Sequence, residues 1–118
     1  MADFDIKKND SAPALRCILQ DDSANPIDLT NASTVQFHMK SDTDTGGTGT
    51  PLKVDAPASV IDAVNGIVEY AWLSDGSDTD TPGVWFGEFE VSWSAGGRTT
   101  FPNYTYISIS IIEDLDED

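Results

Sequence analysis

A chain of 118 residues can enclose one hydrophobic core but not two. Its formal net charge of −15, from 21 Asp and Glu against 6 Lys and Arg, leaves no basic surface to displace counterions from nucleic-acid phosphates. The same excess is repelled by an anionic membrane, and no stretch approaches the ~20 apolar residues of a membrane span.

The pattern is β throughout: short segments of β-branched and aromatic residues alternate with Gly, Pro, Asp, Asn, Ser and Thr clusters. Phe4-Asp5-Ile6-Lys7 reads as an opening strand. Residues 14–20 read as a second, stopped by the turn-forming run Asp21-Asp22-Ser23-Ala24-Asn25-Pro26. Ile27-Asp28-Leu29-Thr30 is a short extended link. Over residues 34–40, Val35, Phe37 and Met39 point one way and Gln36, His38 and Lys40 the other. That period of two marks a half-buried strand.

Residues 41–51 lack any apolar side chain and read as a flexible loop. Residues 52–61 are weakly patterned and broken by Pro57, which suits an edge strand. Asn65-Gly66 is a strong hairpin signal leading into the strand Ile67-Val68-Glu69-Tyr70-Ala71-Trp72. An acidic loop over residues 74–82 precedes the clearest strand, residues 83–94. There Trp85, Gly87, Phe89, Val91 and Trp93 share one face, and Phe86, Glu88, Glu90 and Ser92 the other. Ala95-Gly96-Gly97 is a tight turn, and strands over 98–101 and 104–112 follow, separated by Pro102-Asn103. Ile107, Ile109 and Ile111 on one face make the last strand a central one. Seven to nine short antiparallel strands describe a sandwich or a small barrel, and this length favours the sandwich. It spans residues 1–112, with a like-charge tail over 113–118.

Few residues are equipped for chemistry. His38 is the single histidine, on the polar face of a strand, and reads as a surface residue rather than a base. Glu88 and Glu90 share a strand face, which reads as solvated or interfacial. Asp75, Asp78 and Asp80 lie beside Gly76 and Gly83 and are candidate calcium ligands, although their spacing is not that of an EF-hand. Ordinary acidic turns have the same composition, and neither metal nor cofactor is expected. Cys17, alone in an apolar run, reads as a buried small hydrophobe without a disulfide partner in the chain. Only one face of strand 83–94 can enter the core, so a loop or a partner must cover Phe86.

The charge has three possible sources: a basic partner, divalent cations, or adaptation to high salt. Asp occurs in almost every loop and Lys is scarce throughout, which favours adaptation of the whole surface. In molar salt the Debye length falls to ~3 Å, and repulsion between carboxylates then costs little.

A further set of segments resembles one known domain. These are Phe4-Asp5-Ile6-Lys7-Lys8-Asn9-Asp10, Ala12-Pro13-Ala14-Leu15, Asp28-Leu29-Thr30-Asn31-Ala32 and Val35-Gln36-Phe37-His38-Met39. Gly66-Ile67-Val68-Glu69-Tyr70 with Trp72, Asp78-Thr79-Asp80-Thr81-Pro82-Gly83, Phe89-Glu90-Val91 and Phe101-Pro102-Asn103 follow in order. Together they resemble the N-terminal immunoglobulin-like domain of phage baseplate upper proteins, from Phe4 to Asp114. The resemblance implies an immunoglobulin-like β-sandwich and a virion protein of a tailed phage, acting by assembly and not by catalysis. This sequence holds the domain without the coiled coil or receptor-binding platform of a full baseplate protein. The expectation therefore extends to the neck, the tail or capsid decoration.

The expected role is a virion structural protein, made in the host cytoplasm and repeated in symmetric copies against other virion proteins. Phe4, Ile6, Phe86, Tyr104, Tyr106 and Leu115 are its candidate contact residues. The acidic bias points to a halophilic host. The alternative is a carbohydrate- or receptor-binding module using exposed Trp and Tyr, with calcium.

Overall fold

The computed structural model describes residues 2–41, 52–103 and 105–115. The expected loop over 41–51, from residue 42 onward, and Tyr104 lie outside the described residues. The described chain forms strands β1 (Phe4–Lys7), β2 (Leu15–Ile18), β3 (Ala32–Ser41), β4 (Val54–Pro57) and β5 (Ser59–Asp62). They continue with β6 (Ile67–Tyr70), β7 (Gly83–Trp93), β8 (Arg98–Phe101) and β9 (Ile107–Ile112), with a 3-10 turn at Ser77–Thr79.

The strands form two sheets. One runs β1-β9-β7-β3-β4, with β8 also paired to β7, and the other runs β2-β6-β5. β9 pairs with the first half of β7, Gly83 to Gly87, while β8 pairs with its second half, Phe89 to Ser92. Taking β2, β6 and β5 as strands B, E and D, and β4, β3, β7 and β9 as C′, C, F and G, gives the immunoglobulin-like strand order. One pairing departs from the all-antiparallel expectation: β1 runs parallel to β9, with Phe4 opposite Ile109 and Ile6 opposite Ile111. Parallel pairing needs a long crossover, and here the rest of the domain lies between the two strands.

The core follows the alternation. Val35, Phe37 and Met39 on β3, Phe89 and Val91 on β7, and Ile107, Ile109 and Ile111 on β9 are all buried. From the facing sheet Leu15, Val68 and Tyr70 close over them, with Trp72 just beyond β6. Phe37 sits at the centre, 4.8 Å from the Tyr70 ring, 5.0 Å from Phe89 and 6.0 Å from Trp72. Gly87 makes that position possible, because a Cβ there would stand 2.9 Å from Phe37 Cε1 and 3.0 Å from Ile109 Cδ1.

Residues 52–61, expected as one edge strand, divide into two. β4 pairs with β3 in the larger sheet and β5 with β6 in the smaller one, so the chain changes sheets around Pro57 and Ala58. Ala58 N–H donates to Val35 O at 2.8 Å, the last bond to the first sheet before the crossing.

The Asn65-Gly66 turn connects β5 to β6 as the sequence suggests. Gly66 has φ +69°, and a Cβ there would lie 2.7 Å from Ile27 O and 2.8 Å from Leu19 O. Gly66→Ala is therefore expected to lose more than the ~1–2 kcal/mol of left-handed backbone strain alone. Urea unfolding would read this as a lower midpoint at unchanged slope. An unshifted midpoint would mean that the turn is not packed against those carbonyls.

Candidate interaction surface

The outer face of the larger sheet brings together the side chains that the core leaves over. Register places His38 on β3 between Asp55 on β4 and Glu88 on β7. In the adjoining row Lys40 lies opposite Phe86, and Phe86 opposite Ser108. Tyr106, from the connection between β8 and β9, lays its ring on Phe86 with centroids 5.3 Å apart and planes 13° apart. The sequence left Phe86 to a loop or a partner; the structure covers it with Tyr106 of its own chain. Tyr106 itself is 39% exposed. A groove of about 370 Å³ runs beside the stack, lined by His38, Lys40, Leu52, Phe86, Glu88 and Tyr106.

The polar groups of this face hold one another in place. His38 Nδ1 is 3.4 Å from Glu88 Oε2, and Nε2 is 3.4 Å from Asp55 Oδ1. Gln36 Nε2 donates to Asp55 Oδ1 at 3.0 Å, and Arg98 lies 3.7 Å from Glu90. His38 is thus half-buried between two carboxylates, where the sequence reading had an exposed residue. Beside these charges stands a flat pair of rings. Aromatic area at low conformational-entropy cost with polar groups around it is the composition of a protein-docking patch.

The remaining candidate contacts scatter. Ile6 is 4% exposed and belongs to the core, because its side of β1 faces inward. Phe4 is half-buried against Trp72, ring centroids 5.9 Å apart. Ile6 therefore presents no contact surface, a correction that follows from β1 being docked into the sheet rather than loose, while Phe4 keeps part of its ring exposed. Leu115 lies beyond the last strand and is 98% exposed.

The three candidate calcium ligands do not converge. Asp75 Oδ1 accepts from Ser77 N–H and Oγ–H, which hold its carboxyl below the ordinary value. Asp80 is occupied by the Lys53 ammonium at 2.6 Å and the Thr81 hydroxyl. Asp78 is buried, and its Oδ2 accepts from Tyr70 O–H at 2.7 Å and from Leu73 N–H at 2.9 Å. Among the described residues no three His, Cys, Asp or Glu side chains gather as a metal site. Asp78 is instead the structural residue that the sequence reading missed. Its one signal was position, eight residues after a tyrosine that ends a strand.

The tryptophans offer little surface to a sugar. Trp72 is buried with its N–H on Pro13 O, while Trp85 and Trp93 are half-buried with theirs on Thr81 O and Thr99 Oγ1. Cys17 is half-buried, not fully buried, and desolvation, with Asp3 nearby, pushes its thiol up to about 11. A thiol held protonated is a poor nucleophile at neutral pH.

These features define an immunoglobulin-like sandwich whose larger sheet presents an aromatic and charged outer face. No protein-family model matches the chain, and comparison with curated proteins returns no match.

Proposed function

We propose that this protein is a non-enzymatic assembly subunit of a tailed virus particle, docking through the outer face of its larger sheet. The observation that carries this reading is the Phe86–Tyr106 stack beside a groove on a sheet face that also exposes Val84 and Ile112. The tailed-virus assignment rests on the resemblance of segments from Phe4 to Asp114 to baseplate immunoglobulin-like domains. Adaptation of the surface to high salt rests on the −15 charge spread through the loops. In this reading the apolar rings supply the contact energy, at ~25 cal/mol per Å² buried, and salt screens repulsion between neighbouring acidic copies.

The test is sedimentation of the protein in low and molar salt, alone and with particles of a halophilic tailed virus stripped of accessory proteins. The expected result is salt-dependent rebinding in a fixed ratio. Phe86→Ala with Tyr106→Ala should weaken rebinding by about tenfold or more, the scale of an aromatic hot spot. Indifference to particles at every salt concentration would sink the proposal, and retention on a glycan array would then direct attention to a carbohydrate-binding module.

A further inference from the structure

We propose that the free edge of β2 is a strand-addition site for an extended segment of a basic partner protein. Among the described residues β2 is paired on one side only, to β6. Leu19 N–H, next in line, donates to Gly66 O at 2.8 Å. Backbone groups alternate along an antiparallel strand, so Leu15 and Cys17 also turn theirs toward β6. Arg16 and Ile18 turn N–H and C=O the other way, to the open side. An added strand completes those four hydrogen-bonding groups.

Three of the other edge strands carry features that discourage pairing. β4 ends in Pro57, β5 has a register shift between Val60 and Asp62, and β1 exposes the charged Asp5 and Lys7. β2 has neither a proline nor a register shift: its four pairs with β6 run from Leu15 to Ile18 unbroken, and its one charged side chain, Arg16, is held by Glu69 of β6.

Beside this edge lies a cleft of about 530 Å³, with β2 on one side and Pro102, Asn103 and Thr105 on the other. Leu19, Phe101 and Ile107 give it apolar walls, and Asp3, Asp21 and Asp22 line it with carboxylates. Two of these carboxylates are fixed by backbone donors. Asp21 Oδ1 accepts from the N–H groups of Ser23 and Asn25, and Asp3 Oδ2 from that of Ser108. An extended segment turns successive side chains to opposite sides. Apolar residues then enter the cleft, while Lys or Arg between them reach the acidic rim. A second copy of this chain is a poor occupant, since it brings −15 against −15. The cleft shares no lining residue with the groove beside the Phe86–Tyr106 stack, and its test requires no virus particle.

The probe is a short synthetic peptide of alternating lysine and valine, with amide hydrogen exchange read residue by residue on the whole protein. The expected result is protection of the Arg16 and Ile18 amides by about tenfold or more. The same peptide N-methylated on the backbone groups that would face β2 should bind about tenfold weaker. A glutamate–valine peptide should not bind. Ile18→Pro, which removes one outward N–H, should weaken binding, and the N-methylated peptide decides the matter should that variant not fold. Equal binding of the N-methylated peptide would reduce the effect to charge alone and overturn the proposal. Protection confined to another edge, or at β2 by self-association without peptide, would overturn it equally.

Discussion

Phe37→Ala is expected to cost about 3–5 kcal/mol, the range for a large aromatic removed from a closed core. The side chain is fully buried and touches the rings of Tyr70, Phe89 and Trp72 from both sheets. A single residue that joins the two layers leaves a cavity neither layer can fill alone. With a urea slope of roughly 1–3 kcal/mol per M for a small domain, the midpoint should fall by about 2 M. Against a typical stability of about 5–15 kcal/mol the variant stands close to unfolding. Phe37→Leu keeps part of the volume and should lose less. A midpoint unmoved by Phe37→Ala would mean that the sheets are held together elsewhere.

Asp78→Ala is expected to cost about 2–4 kcal/mol, because it strands the buried Tyr70 hydroxyl and the partly buried Leu73 N–H, which now share one carboxylate oxygen. Asp78→Asn keeps an acceptor for both and should cost less. The pair also sets an alkaline limit. Burial first, and then the hydrogen bond and charge of Asp78, raise the Tyr70 hydroxyl above its ordinary value of 10.0. The fold therefore binds a proton that the unfolded chain releases. The stabilisation is complete below pH 10 and is lost as pH rises beyond it. Unfolding followed between pH 8 and 11 should show that decline in the parent protein and a flatter profile in Tyr70→Phe. Identical slopes in the two proteins would remove Tyr70 as its cause.

Much of the fold could be read from local pattern. The alternation of Val35, Phe37 and Met39, and of the three isoleucines in β9, marks the inward face because a strand turns successive side chains to opposite sides. Gly66 was legible because hairpin turns select for positive φ. Pro57 announced an interruption, but nothing local indicated that β4 and β5 would belong to different sheets. Of the candidate site, Phe86 was legible as the large ring opposite the buried face. That Tyr106 would cover it was not, since residues 20 apart in an irregular connection have no periodic relation. Ile6 misled for a similar reason: a terminal strand reads alike whether it is loose or docked.

By itself the sequence determined the β content, the single domain-sized core, the inward face of the long strands and the acidic surface. Each depends on composition or on neighbours one and two positions away. The tertiary structure alone decided that β1 runs parallel to β9, that Asp78 turns inward to Tyr70, and that His38 lies between carboxylates from two other strands. It also decided that, among the described residues, β2 and β5 flank β6 as the edges of the smaller sheet. Alternation states which side of a strand is buried, but not which strand lies beside it. That choice is made by contacts between distant residues, once the two layers close on Phe37.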